Sequence, residues 1–177
     1  MQTQQSNRKM IRTVTLNDAQ AITEIYNHYI LHTCITFETE PVSTDEMAAR
    51  IKTISSVYPY FVYESDGEIL GYCYAHGWKE KQAYQQTAET TVYVKNGYAH
   101  QGIGQALMQQ LIEASKASNL HVLIACITYP NEASVRLHEK LGFRQVSRFY
   151  EVGRKFGQWL DIYDFQLILT EQINKSF

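Results

Sequence analysis

The chain has 177 residues, 45% of them hydrophobic, and a formal net charge of −2. Its length suits one domain with a sizeable core, and its near-neutral charge gives no basic footprint for nucleic acid. It contains no apolar run of about 18 residues, the length a membrane-spanning helix needs.

Residues 1–9 are polar and lack the apolar centre of a secretory signal, so they read as a frayed tail. One domain over 10–170 and a short C-terminal tail, 171–177, complete the expected organisation. A first strand is expected over 10–15, then a helix over 18–32 capped by Asn17 or Asp18. Ser43 and Glu46 form a capping box for a second helix over 44–55. Two strands, 60–64 and 68–76, flank Asp66-Gly67, a strong hairpin signature. A polar connection over 78–86 leads to a strand over 88–94 and a helix over 103–117. An apolar, β-rich strand over 121–128 follows, then a short helix capped by Asn131 and ending at Leu141 before Gly142. Strands over 143–152 and 159–169, with a Gly153/Gly157 turn region between them, close the chain. The order β-α-α-β-β-β-α-β-α-β-β predicts an α/β mixed sheet with helices on its faces.

Residues 89–107 carry the most chemistry. A strand rich in β-branched residues runs into Gly97, Gly102 and Gly104. From Ile103 onward, Ile103, Leu107, Leu111 and Ala114 repeat at helical spacing. A glycine turn that feeds a helix start offers unpaired N–H groups and the positive end of the helix dipole, which suits a phosphate. Neither a P-loop nor a full dinucleotide fingerprint is present.

Glu89 opens the central strand, and alternation places it with Thr91 and Tyr93 on one face. In a cleft its carboxylate is a candidate general base; at an exposed strand end it is merely solvated. His138 is a helix histidine, either packed or functional. Asn131 is explained as a cap and Ser134 as a first-turn residue. Lys79 and Lys81, with Trp78 and Tyr84, form a basic-aromatic cluster just before Glu89; it is either a solvated connection or an anchor for an anionic group. His28 and His32 are too few for zinc, so no metal is expected. Cys34, Cys73 and Cys126 read as three reduced, buried thiols of a cytosolic protein. The 13 tyrosines suit an interface or a polar-lined cleft.

Together these pieces resemble the GNAT N-acetyltransferases, and within them the phosphinothricin acetyltransferase branch. The resemblance spans about residues 11–169 and rests on several segments: 26–30, 37–41, 78–84 and 87–94, Gly102-Ile-Gly104, Pro130-Asn131, residues 134–143, and Trp159-Leu-Asp161. It implies the GNAT fold, acetyl-CoA as cosubstrate, a small amino-acid-like amine as acceptor, a cytoplasmic location and a homodimer. Val92 and Val94 would lend backbone groups to the pantetheine arm, and Ala99, His100, Gln101, Gly102, Ile103, Gly104 and Gln105 would cradle the pyrophosphate. Tyr93, Asn131 and Ser134 complete the implied cofactor set. Phe37, Lys79, Lys81 and Tyr84 form the implied substrate set. Glu89 falls at the base position, and His138 falls where many relatives carry a tyrosine that protonates the departing thiolate. Three departures are visible. Ala99 stands where Arg or Gln is common, Glu38 where a basic residue is frequent, and Lys81 where Arg is frequent. Acetylation of protein N-termini or lysines, and silent acyl-CoA binding, are the alternative readings.

Overall fold

The computed structural model describes residues 9–169. The expected tails therefore lie outside the described residues, except Lys9, which is the first residue of β1. The elements are β1 (Lys9–Thr13), α1 (Ala19–His32), α2 (Thr44–Ser55), β2 (Tyr60–Ser65), β3 (Glu68–Gly77), β4 (Thr87–Val94), α3 (Ile103–Ala117), β5 (Val122–Tyr129), α4 (Glu132–Lys140), β6 (Arg144–Lys155) and β7 (Gln158–Ile168). Short 3-10 turns at Leu16–Asp18 and Gln82–Tyr84 precede α1 and β4.

The strands form one sheet in the order β1-β2-β3-β4-β5-β7-β6. The sheet is antiparallel except where β4 meets β5. One face buries α3 through Ile103, Leu107, Met108 and Leu111 against Cys73, Ala75, Ala88 and Leu123. The other buries Ile22, Ile25 and Ile30 of α1 and Met47 and Ile51 of α2 against Tyr60, Val62 and Tyr72. The period of 3.6 in the helices and of 2 in the strands thus meets on both faces of one sheet.

Local chemistry explains most boundaries. Ser43 caps α2 by accepting from the Glu46 N–H at 3.1 Å. Asp66 and Gly67, with φ of 53° and 84°, make the hairpin turn that the pair predicts. Asp18 behaves differently from its expected role as a cap, making no capping hydrogen bond for α1. Its carboxylate instead takes both Arg12 guanidinium nitrogens at 2.8 Å and the Thr15 N–H at 2.7 Å. This local pairing shortens the first strand, which ends at Thr13 rather than residue 15. The last hairpin also differs from expectation. Gly153 lies inside β6, which runs on to Lys155, and the turn is Phe156-Gly157, with φ of 48° and 75°.

Candidate active site

The site is opened by an incomplete ladder. β4 and β5 run parallel but pair only at Thr87–Val122, Ala88–Leu123 and Glu89–Ile124. Beyond Glu89 the two strands part, while β4 stays paired with β3 to Val94 and β5 with β7 to Tyr129. The Lys95 N–H donates to Leu70 O next to the Gly71–Val94 pair. In an antiparallel ladder this makes Val94, and by alternation Val92, point its N–H and C=O away from β3 and into the gap. The Val94 carbonyl there accepts the Tyr29 hydroxyl at 2.6 Å.

Two cavities fill the gap. The larger, about 610 Å³, is a groove lined by Val92, Tyr93, Val94, Ala99, His100, Gly102, Ile103, Gly104, Gln105, Asn131 and Ser134. Eleven of the twelve expected cofactor residues are in that lining. Gln101 is the exception: it lines a separate surface hollow with Tyr63 and Leu70 on the other side of the loop. α3 starts after Gly102, whose φ of 79° is left-handed, and no side chain caps it. The N–H groups of its first turn therefore remain for a ligand. Sequence reasoning missed Tyr29 and the two groove cations on α4, Arg136 and Lys140. Their four-residue spacing puts both cations on one face of the helix that Asn131 caps, a pattern that could have found them.

The smaller cavity, about 290 Å³, is lined by Tyr26, Thr36, Phe37, Tyr74, Glu89, Thr91, Cys126 and His138 among others. Ile35, Val92, Tyr93, Asn131 and Ser134 line both cavities, so they meet there. No Lys or Arg lines the smaller cavity among the described residues. The Glu89 side chain is 27% exposed, within reach of a ligand yet partly shielded from water. Cys126, expected to be buried, is exposed, and Cys34 is only partly covered; Cys73 alone of the three is buried. The Cys126 thiol donates to Asp164 Oδ1 at 3.1 Å. Burial of the sulfur, then the Glu89 and Asp164 carboxylates, push this thiol far above its usual value.

His138 is 3% exposed, with its ring edge-on to Phe143 at 5.0 Å. Burial lowers its pKa, against a smaller opposing effect from the Ser134 backbone. The Ser134 carbonyl, 2.8 Å from Nδ1, can only accept, so Nδ1 carries the proton and Nε2 holds the lone pair. The neutral ring is thus a proton acceptor at Nε2. Asn131 accepts the Ser134 N–H at 3.2 Å, which leaves its amide N–H groups for a ligand.

Phe37, one of the four residues of the implied substrate set, lies in the smaller cavity's wall. Its ring lies so close on Gly153 that a Cβ there would overlap it. The loop around it is tied by Thr128 Oγ1 to Ile35 O at 3.3 Å and by buried Lys155 to Thr36 O at 2.8 Å. Gly153→Ala is expected to cost about 1 kcal/mol, the low end for overpacking, since the partly exposed Phe37 ring can yield, and to change the KM of an amine substrate. Denaturant unfolding and initial rates check both. Lys79, Lys81 and Tyr84 are not in either lining. Lys79 lies over the Trp78 ring at 4.1 Å, and Trp78 packs edge-on against Tyr84 at 5.3 Å, a cluster of its own beyond the end of β3. Among the described residues no group of three or more His, Cys, Asp or Glu could hold a metal ion.

Residues 11–163 match the family described as Acetyltransferase (GNAT) domain. The chain belongs to the GNAT acetyltransferases. Within that family it is 40% identical over 156 residues to a phosphinothricin N-acetyltransferase of Streptomyces coelicolor, covering 86% of this chain and 91% of that one. It is 38% identical over 162 residues to an L-methionine sulfoximine/L-methionine sulfone acetyltransferase of Salmonella typhimurium, covering 91% and 95%. A GNAT phosphinothricin acetyltransferase from Sinorhizobium meliloti, solved in complex with acetyl-CoA, superposes with a TM-score of 0.88 at 34% identity, covering 91% of this chain and 88% of that one.

Proposed function

We propose that this GNAT enzyme moves the acetyl group of acetyl-CoA to the α-amine of a small amino-acid-like compound of the phosphinothricin, methionine sulfone or methionine sulfoximine type. The observation that carries the reading is the junction of the two cavities at Val92, Tyr93, Asn131 and Ser134, with the α3 N-terminus on one side and Glu89 on the other. Acetyl-CoA supplies a thioester-activated acyl group. The groove fits it: the first-turn N–H groups of α3 suit the pyrophosphate, Val92 and the Val94 N–H suit an extended amide chain, and Arg136 and Lys140 add positive charge. A cavity of about 290 Å³ suits one amino acid better than a peptide.

The chain's own residues then divide the proton work. Glu89 takes a proton from the substrate ammonium, freeing the lone pair that attacks the acyl carbon. A backbone N–H of β4 beyond Glu89 steadies the charge that develops on the acyl oxygen. The nitrogen sheds a second proton as the N–C bond forms, and Nε2 of His138, a lone-pair site, accepts it. His138 then returns that proton to the departing thiolate. This refines the expected role of His138: as a buried neutral ring it must gain a proton before it can give one.

A single domain across residues 10–170 and a cytoplasmic, homodimeric enzyme complete the reading. No helix among the described residues is long and apolar enough to cross a membrane. β6 ends the sheet order, and Val146, Phe149, Tyr150 and Val152 are exposed on it, with Trp159 on β7, an apolar edge that supports pairing with a second copy. The groove assignment is tested with Gly104→Val. A Cβ at Gly104 finds ordinary contacts at 3.5 Å or more, and circular dichroism checks that the larger valine leaves the fold intact. Acetyl-CoA affinity by calorimetry is expected to fall by about tenfold, or 1.4 kcal/mol. Unchanged affinity would contradict the groove assignment.

A further inference from the structure

The base needs an exit for the proton it gains, and the groups packed around it narrow the choices. From β5, Cys126 faces Glu89, with Asp164 of β7 behind it. That thiol is held in its protonated form and cannot accept. From β3, Tyr74 shares the cavity wall, and its hydroxyl is likewise held protonated, by burial first. The remaining neighbour is His76, directly opposite Glu89 in the β3–β4 ladder. Its Nε2 lies 4.0 Å from Glu89 Oε1. Its Nδ1 lies 3.1 Å from the Gly77 carbonyl, which can only accept, so in the neutral ring Nδ1 carries the hydrogen and the lone pair is at Nε2, on the carboxylate side. The His76 side chain is 34% exposed, so the ring touches both the base and solvent.

We propose that His76 is the proton-relay partner of Glu89. In each turnover Glu89 Oε gains a proton from the substrate ammonium. The carboxylic acid O–H then donates to His76 Nε2: the O–H bond breaks, the N–H bond forms, and the carboxylate is restored. The imidazolium releases that proton to solvent water or buffer. The 4.0 Å gap is longer than a hydrogen bond and closes by a small side-chain rotation or one bridging water. Among the described residues, Asp164 is the other carboxylate nearby, and it already accepts from the Cys126 thiol at 3.1 Å and the Ser147 hydroxyl at 2.7 Å. Restoring the base through solvent leaves the cavity free for the next amine.

The inference rests on Glu89 acting as the base, so the test separates the two. His76→Phe is assayed with acetyl-CoA and L-methionine sulfone, with and without added imidazole, beside Glu89→Gln. The relay predicts a kcat lower by about tenfold, smaller than the 10²–10⁴ of a positioned base. KM for the amine and Kd for acetyl-CoA stay unchanged, and imidazole in the buffer restores the rate. His76→Gln, which keeps the shape and polarity but not the titratable ring, shows the same loss and rescue, and it serves where the Phe variant fails to fold. Wild-type kcat in a folded His76 variant overturns the relay, as does a loss that imidazole does not restore or one seen only in KM. Wild-type turnover in Glu89→Gln instead removes the base itself, whatever His76 does.

Discussion

Glu89→Gln is expected to lower kcat by about 10²–10⁴-fold, the range for a positioned general base, while acetyl-CoA binds with unchanged affinity. The substitution keeps the shape and the β4 backbone and removes the negative charge and basicity that take the ammonium proton. The cofactor groove and Glu89 lie on opposite sides of the cavity junction, so binding and chemistry separate. Single-turnover rates beside calorimetry check this; a variant that turns over like the wild type would remove Glu89 from the mechanism.

Asp18→Ala has the largest expected effect on stability, about 3 kcal/mol, the cost of breaking a buried ion pair by removing one partner. Asp18 is 6% exposed and accepts from Arg12 twice, from the Thr15 N–H and from the Thr15 hydroxyl at 3.0 Å. Arg12 would keep Glu64 at 2.8 Å, which places the effect at the lower end of the range. Burial alone would raise the Asp18 pKa, but its hydrogen bonds to Arg12 and Thr15 outweigh that and hold it below the usual value. The folded pKa is depressed, so the stabilisation is present above the unfolded carboxylate value and lost as pH falls through the folded one. Wild type and variant should therefore converge in acid. His138 adds to acid sensitivity by a different route. Its folded pKa is also lowered, here by burial, so the unfolded chain binds the proton more readily and stability falls below about pH 6.5. Urea unfolding of both proteins at neutral and acid pH checks the difference and its direction.

The chain's elements were legible because each carries its own punctuation. Ser43 with Glu46, Asp66-Gly67, Asn131 and Gly142 act within a few residues of their boundaries, and the observed starts and stops follow them closely. The failures came where a side chain had a stronger partner. Asp18 reads as a cap until Arg12 is brought beside it by the turn of the chain. Gly153 reads as a turn residue, yet its role is to let the Phe37 ring lie against β6, a contact between segments far apart in sequence.

The groove was readable from the glycine turn because a phosphate-friendly helix start is a local feature. Gln101 lines a different hollow because the left-handed residues on either side of it, His100 at 63° and Gly102 at 79°, turn the loop, and spacing alone does not say which side each residue faces. The cavity that holds Glu89 was barely readable. It exists because β4 and β5 part after three pairs, and its walls come from α1, the loop after it, strands β3 to β5 and β7, and α4 with its cap. Tyr29 and Val94 meet across 65 residues. Nothing in the sequence near Val94 announces that contact. The tyrosine count pointed to a polar-lined cleft, and Tyr26, Tyr74 and Tyr93 do line it. The exposure of Cys126 shows the limit of composition, since its neighbours in the sequence are apolar while its neighbours in space are carboxylates.

The central claim is that the amine cavity selects the α-amine of a small amino-acid-like compound. The direct measurement is thiol release from acetyl-CoA by the wild-type protein with phosphinothricin, L-methionine sulfone, L-methionine sulfoximine and a set of short peptides, with mass spectrometry locating the acetyl group. The account predicts release with one or more of the three small compounds and an acetyl group on the α-nitrogen. Release with peptides alone, or binding of acetyl-CoA without release for any amine, would contradict it.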